Sequence, residues 1–311
     1  MRIAIVGATG LVGRELLSLF EKSTCVIDAL FLFAKKTASL SFREQKLPVH
    51  PLSKPVDCNY VFFCTSSEIS KKHIPEWLKT EATIIDLSSA YRQKAPLIIP
   101  EINPHCIKLP LISSPNCTTT IMLLALAPLH RKFGLKRVVV STYQAASGGG
   151  KALLHRLIEE TRACPDGHSS YAFNLFPHSE PNEEGYNEEE LKMIAESHRI
   201  LEDDSIAISS SCIRVPTLRA HALSLNVELQ SEFSLSEIKD LLRSAPRVKY
   251  FPGADISHAT ASENIYVSRV RVDISQENTI DMWILGDQLL KGASLNAFDL
   301  YKHLESKRVS Q

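Results

Sequence analysis

The sequence predicts an α/β protein of two domains, a doubly wound parallel sheet followed by a mixed or antiparallel sheet with helices. The chain has 311 residues, 44% of them hydrophobic, which is more than one core comfortably takes up. In the first half, short apolar runs are separated by helical or loop segments, as in a parallel sheet. In the second half, apolar and polar residues alternate along longer runs, which favours antiparallel strands.

Five strands are predicted in the first half. The run "RIAIV" is followed by glycines and then by a helix, in which Leu16, Leu19 and Phe20 follow Val12 at helical spacing. The later strands are "VIDALFLFA", "NYVFFCTSS", "ATIIDLSSAY" and "LPLISSPNC".

The second half begins with the strand "VVVS" and the helix "KALLHRLIEETRA". Residues 164–186 are rich in Pro, Gly, Asn and Ser and are predicted to form a long loop. A helix follows, with Asn187 as its cap and Glu190 at the capping-box position. Its predicted shared face consists of Leu191, Ile194, His198 and Leu201. The remaining strands are "SIAISSSCIRVP", "RAHALSLNVEL", "NIYVSRVRVDI" and "TIDMWILGD", and a last helix is expected to return to the first domain.

Charge and cysteine usage exclude several classes of protein. The 35 basic and 35 acidic residues cancel, so neither a nucleic-acid surface nor a polybasic membrane anchor is indicated. The seven cysteines are scattered and none has C-x-x-C spacing, which argues against a zinc site and a disulfide framework. No apolar run is long enough to span a bilayer, and "MRIAIVGATG" is a strand rather than a signal peptide. We expect a cytoplasmic protein without a metal.

The first strand and helix are joined by a glycine-rich turn, "GATGLVG". Glycines there allow a tight turn and let backbone N–H groups approach a pyrophosphate at the helix N-terminus. A glycine turn without a ligand is the alternative, but the position at the first strand–helix junction favours a dinucleotide site. A Walker loop is excluded here, and "ASGGGKA" also departs from that pattern. The predicted coenzyme contacts in this turn are Gly7, Thr9, Gly10, Leu11, Val12 and Gly13.

The end of the second strand bears on the choice of coenzyme. NAD-binding folds usually carry an acidic residue there for the ribose hydroxyls, whereas this chain has Lys35, Lys36 and Thr37. An acid would repel a 2′-phosphate and lysines would attract it, so we predict NADP. A solvated loop with two surface lysines is the alternative.

Cys117 follows Pro115 and Asn116 and precedes an apolar helix. A helix N-terminus lowers the pKa of a thiol and so favours the reactive thiolate. Beside a nicotinamide domain, such a thiol predicts hydride transfer through a covalent intermediate. The alternative, a small buried hydrophobe, suits four other cysteines better: Cys25, Cys58, Cys64 and Cys212. The residues alone do not select a proton partner among eleven histidines.

Seven motifs in order along nearly the whole chain resemble the aspartate-semialdehyde dehydrogenase family. They are "GATGLVG", "AYRQKAPLIIPEINPH", "SSPNCTTT", "STYQAASGGG", "EELKM", "CIRVPTLRAH" and "GDQLLKGASLNA". The resemblance implies a Rossmann-type NADP-binding domain over residues 1–117, completed by a C-terminal helix over 288–311. It implies an α+β catalytic and dimerisation domain over 118–287, like that of glyceraldehyde-3-phosphate dehydrogenase, and a homodimer or dimer of dimers.

The resemblance also implies roles for individual residues. Cys117 would be the nucleophile, His221 the general acid and base, and Gln144 the residue that orients the thioacyl intermediate. Taken alone, His221 has the strand parity of apolar neighbours and would be interpreted as a core histidine. The residues implied to lie near the nicotinamide are Ser147, Gly148 and Gln288.

The same resemblance places substrate contacts. Arg92 and Lys192 would bind phosphate, Arg214 the substrate carboxylate and Glu189 its ammonium group. Asn116 is also expected to contact substrate. As alternatives, Glu189 and Lys192 could form an i,i+3 surface ion pair, and Arg214 could be a strand arginine paired with an acid.

The implied reaction is the NADPH-dependent reductive dephosphorylation of L-4-aspartyl phosphate to L-aspartate 4-semialdehyde through a thioester on Cys117. It belongs to the biosynthesis of lysine or diaminopimelate, threonine and methionine. Three alternatives stay open: N-acetyl-γ-glutamyl-phosphate reductase, a catalytically silent NADP-binding relative, and a plain Rossmann epimerase or reductase.

Overall fold

The structure is a computed structural model that describes residues 1–164, 167 and 169–309. The chain divides into two compact units, one formed by Met1–Pro115 with Ala293–Gln311 and the other by Asn116–Gly292. The predicted boundary placed Cys117 at the end of the first domain, whereas the structure places it in the second unit. The reason is that Cys117 begins a helix, Cys117–Phe133, that packs on the second sheet.

The helices are distributed over both units. They are α1 (Leu11–Lys22), α2 (Ser67–Trp77), α3 (Cys117–Phe133), α4 (Gly150–Ala163), α5 (Glu188–Leu201), α6 (Leu235–Ser244), α7 (Ile256–Ala259) and α8 (Leu295–Val309).

A seven-stranded sheet forms the core of the first unit. Its strands are β1 (Arg2–Val6), β2 (Ala29–Ala34), β3 (Ala38–Phe42), β4 (Gln45–Pro51), β5 (Tyr60–Phe63), β6 (Thr83–Asp86) and β7 (Leu111–Ser113). Their order is β3-β4-β2-β1-β5-β6-β7. Each neighbouring pair is parallel except β3 with β4. This is the doubly wound sheet that the sequence predicts.

The β3–β4 hairpin was not predicted. Its two-residue turn consists of Arg43 and Glu44, both left-handed with φ of 46° and 66°. Such turns normally carry Asn or Gly, which tolerate positive φ. Without either residue the sequence gives no hairpin signal.

The C-terminal helix α8 returns to the first unit, where it packs beside α1. The ring of Phe20 lies 5.0 Å from that of Phe298 and 5.3 Å from that of Tyr301, measured between centroids. Tyr60 donates a hydrogen bond of 2.7 Å to Glu305. The last helix is therefore part of the first unit's core.

The second unit contains a mixed seven-stranded sheet. Its strands are β8 (Leu135–Gln144), β9 (Phe176–Pro177), β10 (Ala207–Arg214), β11 (His221–Leu229), β12 (Val248–Tyr250), β13 (Ile265–Val272) and β14 (Thr279–Gly286). The order is β12-β13-β14-β11-β8-β10-β9. The pairs β8–β10 and β12–β13 are parallel and the others antiparallel, as predicted for a mixed sheet.

Two predictions for the second unit need correction. The predicted loop over residues 164–186 contains the short strand β9, and its residues 165, 166 and 168 lie outside the described residues. The predicted face of α5 is not its buried face: Leu191 is 41% exposed. The buried residues of α5 are Glu189, Met193, Glu196, Ser197 and Ile200. The predicted capping box of α5, formed by Asn187 and Glu190, is present.

Candidate active site

The glycine-rich turn follows β1 directly and closely approaches the neighbouring strand. Gly7 has φ +85°, and a Cβ there would lie 2.1 Å from the carbonyl oxygen of Cys64. A Cβ on Gly13 would lie 2.3 Å from the oxygen of Gly7. The N–H groups of Gly7 and Ala8 both donate to the carbonyl of Phe33, at 2.8 and 3.0 Å. The turn therefore requires glycine for steric reasons and is tied to the end of β2.

The residues around this turn fit a dinucleotide. Gly10 is the N-cap of α1, whose first turn contains Leu11, Val12 and Gly13 and no acidic residue. A helix N-terminus without acids attracts a pyrophosphate. Lys35, Lys36 and Thr37 are exposed and follow β2. Since Val6 of β1 is opposite Phe33 of β2, the glycine turn and the lysines lie at the same edge of the sheet.

Arg92 lies in a loop of the first unit that Asp86 holds in place. Asp86 is buried and accepts hydrogen bonds from Ser70 Oγ at 2.9 Å and from Ser88 N at 3.1 Å. Burial raises the pKa of Asp86, although these hydrogen bonds oppose it. Arg92 donates from Nε to the carbonyl of Ser114 at 3.0 Å and from Nη2 to that of Leu87 at 3.3 Å. The backbone thus fixes the guanidinium within its own unit.

In the second unit, the turn that carries Cys117 is held by α5. Asn116 is the N-cap of α3, and its backbone N–H donates to Glu196 Oε2 at 2.6 Å. Its side-chain Nδ2 donates to Glu189 Oε1 at 2.7 Å. The thiol of Cys117 lies 3.4 Å from Asn116 Oδ1. A Cβ on Gly292 would lie 2.8 Å from Cys117 Cβ, so this glycine leaves room for the cysteine.

Gln144, at the end of β8, joins the same cluster. Its Nε2 donates to Glu189 Oε1 at 3.2 Å, and its Oε1 accepts from Thr142 Oγ1 at 3.0 Å. Glu189 therefore receives hydrogen bonds from both Asn116 and Gln144. Lys192 pairs more closely with Glu188, at 2.8 Å, than with Glu189 Oε2, at 4.0 Å.

Glu189 is a buried carboxylate, only 8% exposed. Burial acts to raise its pKa. The hydrogen bonds from Asn116 and Gln144 and the charge of Lys192 act in the opposite direction, and the pKa of Glu189 lies below the ordinary value. The simple surface ion pair considered above for Glu189 and Lys192 therefore does not describe Glu189.

His221 begins β11 and is fully buried. Its Nδ1 accepts a hydrogen bond of 3.0 Å from the backbone N–H of Ala145, which places the proton of the neutral ring on Nε2. Among the described residues, Nε2 has no hydrogen-bond partner. A Cβ on Gly148 would lie 3.0 Å from Nε2. Burial, followed by the charge of Arg214, lowers the pKa of His221 to about 3.

Arg214 ends β10 and is 3% exposed. Its Nη1 donates to the carbonyl of Ala145 at 2.8 Å, and its Nη2 contacts Nε2 of His178. Burial lowers its pKa. The predicted alternative, a direct pair with an acid, is not found for Arg214 within the described part of the chain. His178 was not predicted, because it falls in the segment that the sequence assigns to a loop.

Ser147 and Gln288 bond to each other inside the second unit. Gln288 Nε2 donates to Ser147 Oγ, and Gln288 Oε1 accepts from the N–H of Ala220 at 2.9 Å. Ser147 Oγ in turn donates to the carbonyl of Leu218 at 2.6 Å. These bonds order the strand ends around His221, and a contact of Ser147, Gly148 or Gln288 with coenzyme stays a prediction.

The second unit thus brings six of the predicted residues into two adjoining hydrogen-bonded groups, one around Glu189 and one around the backbone of Ala145, which follows Gln144 in the chain. The first group includes a thiol at a helix N-terminus, and the second includes an imidazole N–H that bonds to no described residue. The six residues are Asn116, Cys117, Gln144, Glu189, Arg214 and His221. The seven cysteines are described as free thiols. A search of the described residues finds no helix of the length and apolarity that a bilayer requires.

A dinucleotide-binding sheet followed by a mixed-sheet domain with such a thiol defines the class of semialdehyde dehydrogenases. Two family models of that class match the chain. The model of the semialdehyde dehydrogenase NAD binding domain covers residues 2–109, and that of the semialdehyde dehydrogenase dimerisation domain covers residues 126–291.

Comparison with individual proteins identifies a narrower family within this class. The aspartate-semialdehyde dehydrogenase of Synechocystis is 37% identical, and the match covers 96% of each chain. That of Aquifex aeolicus is 34% identical with the same coverage. A crystal structure of aspartate semialdehyde dehydrogenase II from Vibrio cholerae superposes with a TM-score of 0.94, at 31% identity over 98% of each chain. The chain belongs to the aspartate-semialdehyde dehydrogenase family, which confirms the resemblance found in the sequence.

Proposed function

We propose that this protein catalyses the reductive dephosphorylation of L-4-aspartyl phosphate to L-aspartate 4-semialdehyde, with NADPH as reductant. The observation that carries the proposal is the thiol of Cys117 at the N-terminus of α3, on a turn that Glu189 and Glu196 hold from α5. The family of the chain supports the same activity. A second Vibrio cholerae structure, 31% identical, is of the enzyme complexed with ASA.

Cys117 acts as the nucleophile. Its thiolate attacks the acyl carbon of aspartyl phosphate, a C–S bond forms, and the C–O bond to phosphate breaks so that phosphate leaves with the electron pair. The N-terminus of α3 favours the thiolate. Arg92 and Lys192 supply positive charge for the departing phosphate, and Gln144 orients the resulting thioester.

His221 stabilises the oxyanion that forms at the acyl carbon. Its neutral ring carries a proton on Nε2 that no described residue uses, so it donates to the oxygen that becomes negative at the acyl carbon. After the acyl carbon has received a hydride, the oxyanion collapses and the C–S bond breaks with its electron pair on sulfur, so that the aldehyde leaves and Cys117 is again a thiolate. NADPH, when bound, supplies the hydride that reduces the thioester.

The substrate's charged groups match two residues of the cluster. Arg214 binds the α-carboxylate and Glu189 the α-ammonium group, both from buried positions. The N-acetylated, one-carbon-longer analogue has no ammonium group, so the buried Glu189 carboxylate would lose water without gaining a counter-charge from the substrate. We therefore assign the free amino acid derivative as substrate. The product is an intermediate for lysine or diaminopimelate, threonine and methionine.

The decisive test is turnover of Cys117→Ala in the reverse assay, phosphate-dependent NADPH formation from aspartate semialdehyde. Because covalent catalysis leaves no parallel route of similar rate, we expect essentially no turnover while NADPH still binds. Cys164→Ala, a partly exposed cysteine of the same unit, serves as the control and should turn over like the parent. Substantial activity of Cys117→Ala would refute the assignment, and a preference for N-acetylglutamate semialdehyde would refute the substrate.

The proposal that the enzyme uses NADP rather than NAD rests on the exposed lysines after β2. Losing a hydrogen bond to a charged group costs about 1.5–3 kcal/mol, so Lys35→Ala should raise KM for NADPH roughly tenfold to a hundredfold. KM for NADH should barely change. Lys46→Ala, an exposed lysine at the start of β4, should affect neither coenzyme. Equal effects of Lys35→Ala on both coenzymes would rule out a contact with the 2′-phosphate.

We also propose that the protein acts in the cytosol as a homodimer or a dimer of dimers. The match of residues 126–291 to a dimerisation domain supports assembly, and the free thiols suit a reducing compartment. Sedimentation velocity of the full chain distinguishes dimer from tetramer, and a monomer at micromolar concentration would contradict the proposal.

A further inference from the structure

His178 lies between the two residues to which we assign the substrate's charged groups. The short strand β9 pairs with β10 so that Pro177 is opposite Ile213. The next residue, His178, donates its backbone N–H to the carbonyl of Cys212 at 2.8 Å. The register of two strands therefore fixes this histidine beside Arg214.

The contacts of the ring define its protonation. Nε2 of His178 contacts Nη2 of Arg214 and lies 4.0 Å from Glu189 Oε1. A guanidinium has only donors, so Nε2 must be the acceptor and the ring must be neutral with its proton on Nδ1. Burial lowers the pKa of His178, as do the charges of Arg214 and Lys192, while Glu189 and Glu188 oppose them. The pKa shift agrees with the geometry.

Arg214 and Glu189 are buried opposite charges, yet within the described residues they form no direct ion pair with each other. A direct pair would be the usual arrangement for such charges in a low-dielectric site. Here the neutral ring of His178 contacts the guanidinium and faces the carboxylate. The guanidinium and the carboxylate consequently each retain capacity for a further partner.

The other ring nitrogen gives a second indication. Nδ1 of His178 is buried and makes no hydrogen bond to any described residue. A buried donor without a partner is destabilising, and such groups occur where a position is kept for function rather than for stability. A histidine selected only to stabilise this strand would not leave Nδ1 unpaired.

We propose that His178 is a positioning residue that determines substrate specificity. It orients Arg214 toward the α-carboxylate and prevents Arg214 from neutralising Glu189 before the substrate binds. This inference rests on the proposed function, because it takes the assignments of Arg214 and Glu189 from there. It adds a residue that acts through both of them without touching the reacting atoms.

The test compares His178→Gln with His178→Leu and His178→Met in steady-state assays of aspartate semialdehyde oxidation. Gln keeps an acceptor oxygen near the position of Nε2, whereas Leu and Met remove it at similar volume. We expect Leu and Met to raise KM for aspartate semialdehyde roughly tenfold to a hundredfold, the worth of a hydrogen bond to a charged group. The value of kcat should change less, KM for NADP should stay the same, and Gln should restore most of the affinity.

A substrate without the α-carboxylate, 3-aminopropanal, shows whether His178 acts through Arg214. The parent should prefer aspartate semialdehyde in kcat/KM. His178→Leu should lose most of that preference, because the carboxylate contact depends directly on the orientation of Arg214, whereas the contact of Glu189 with the ammonium group is weakened less. Equal losses on both aldehydes, or parent-like behaviour of both Leu and Met variants, would overturn the inference. Having two variants keeps the test valid if one of them fails to fold.

Arg214→Leu separates this inference from the proposed function. If Arg214→Leu raises KM for aspartate semialdehyde and His178→Leu does not, the proposed role of His178 is wrong and the proposed function stands. If Arg214→Leu leaves KM unchanged, the assignment of the carboxylate to Arg214 fails, and the role of His178 fails with it.

Discussion

His221 shows how burial can keep an imidazole neutral and still leave it a usable proton. The Ala145 N–H occupies Nδ1, so the proton stays on Nε2, where no described residue bonds to it. Burial and the nearby Arg214 lower its pKa to about 3. Burial and Arg214, which lower this pKa, also make the folded state sensitive to acid.

The pH dependence has a definite sign. The folded pKa, about 3, lies below the ordinary value of 6.5, so the unfolded chain binds the proton first as pH falls. The contribution of His221 to stability is thus complete above pH 6.5 and is lost progressively toward pH 3. Between pH 6.5 and 4.5 this residue should lower the free energy of unfolding by roughly 2–3 kcal/mol.

His221→Asn provides the comparison, because Asn Oδ1 can accept from Ala145 N–H but does not titrate. Urea unfolding at pH 6.5 and 4.5 should give a smaller loss of stability for the variant than for the parent. Identical losses would mean that His221 titrates normally in the folded protein. In turnover, the variant should fall by roughly 10²–10⁴-fold, the usual contribution of a positioned acid or base.

At this scale the sequence was informative for Cys117 and not for His221. A thiol at the start of an apolar helix is unusual enough to suggest chemistry. His221 shares strand parity with Leu223, Leu225 and Val227, all of them buried, so pattern alone makes it a core residue. Its distinguishing feature is an Nε2 that bonds to no described residue. That feature depends on the backbone of Ala145, which bonds to Nδ1, and no sequence pattern indicates it.

At the scale of the element, α5 explains why amphipathic periodicity indicated the wrong face. Apolar spacing selected Leu191 and its partners, yet the helix buries two carboxylates, Glu189 and Glu196. Both bond to Asn116, at 2.7 and 2.6 Å. Burying a carboxylate is costly without such partners, and a sequence pattern cannot show that the partners lie on another helix.

A substitution of Glu196 tests whether the hydrogen bonds from α5 position the turn that carries Cys117. Glu196→Ala leaves the buried N–H of Asn116 without its acceptor, which should cost about 1–3 kcal/mol of unfolding free energy. The value of kcat should also fall, because the turn that carries Cys117 loses the bond between its backbone and α5. Glu196→Gln retains an acceptor oxygen and is the matched control. Ala and Gln variants with the same stability and the same kcat would show that the bond does not position the turn.

At the scale of the whole molecule, the order of the helices and strands was predictable from the sequence. The two points at which the chain passes from one unit to the other were less predictable. Apolar runs indicated both sheets, because buried strands have a recognisable local pattern of apolar residues. The structure changes units between Pro115 and Asn116 and again between Gly292 and Ala293. Those points depend on packing: α3 joins the second sheet, and Gln288 bonds to Ser147.

The return of α8 to the first unit predicts where a defect in that helix is felt. Phe298 is 7% exposed and packs edge-on against Phe20. Replacing a buried aromatic residue with alanine removes apolar contact and leaves a cavity, at a cost of about 3–5 kcal/mol. Phe298→Ala should therefore destabilise the unit that contains residues 1–115, although residue 298 is far from it in sequence.

The two tryptophans allow this to be measured, because each unit contains one. Trp77 packs against Phe63 in the first unit, and Trp283 packs against Tyr143 in the second. In a Trp283→Phe background, fluorescence reports only the first unit, and Phe298→Ala should move its urea midpoint to a clearly lower concentration. Val227→Ala, a core change in the second unit, is the matched control and should move the Trp77 midpoint less. An unchanged Trp77 midpoint in Phe298→Ala would mean that α8 contributes little to the stability of the first unit.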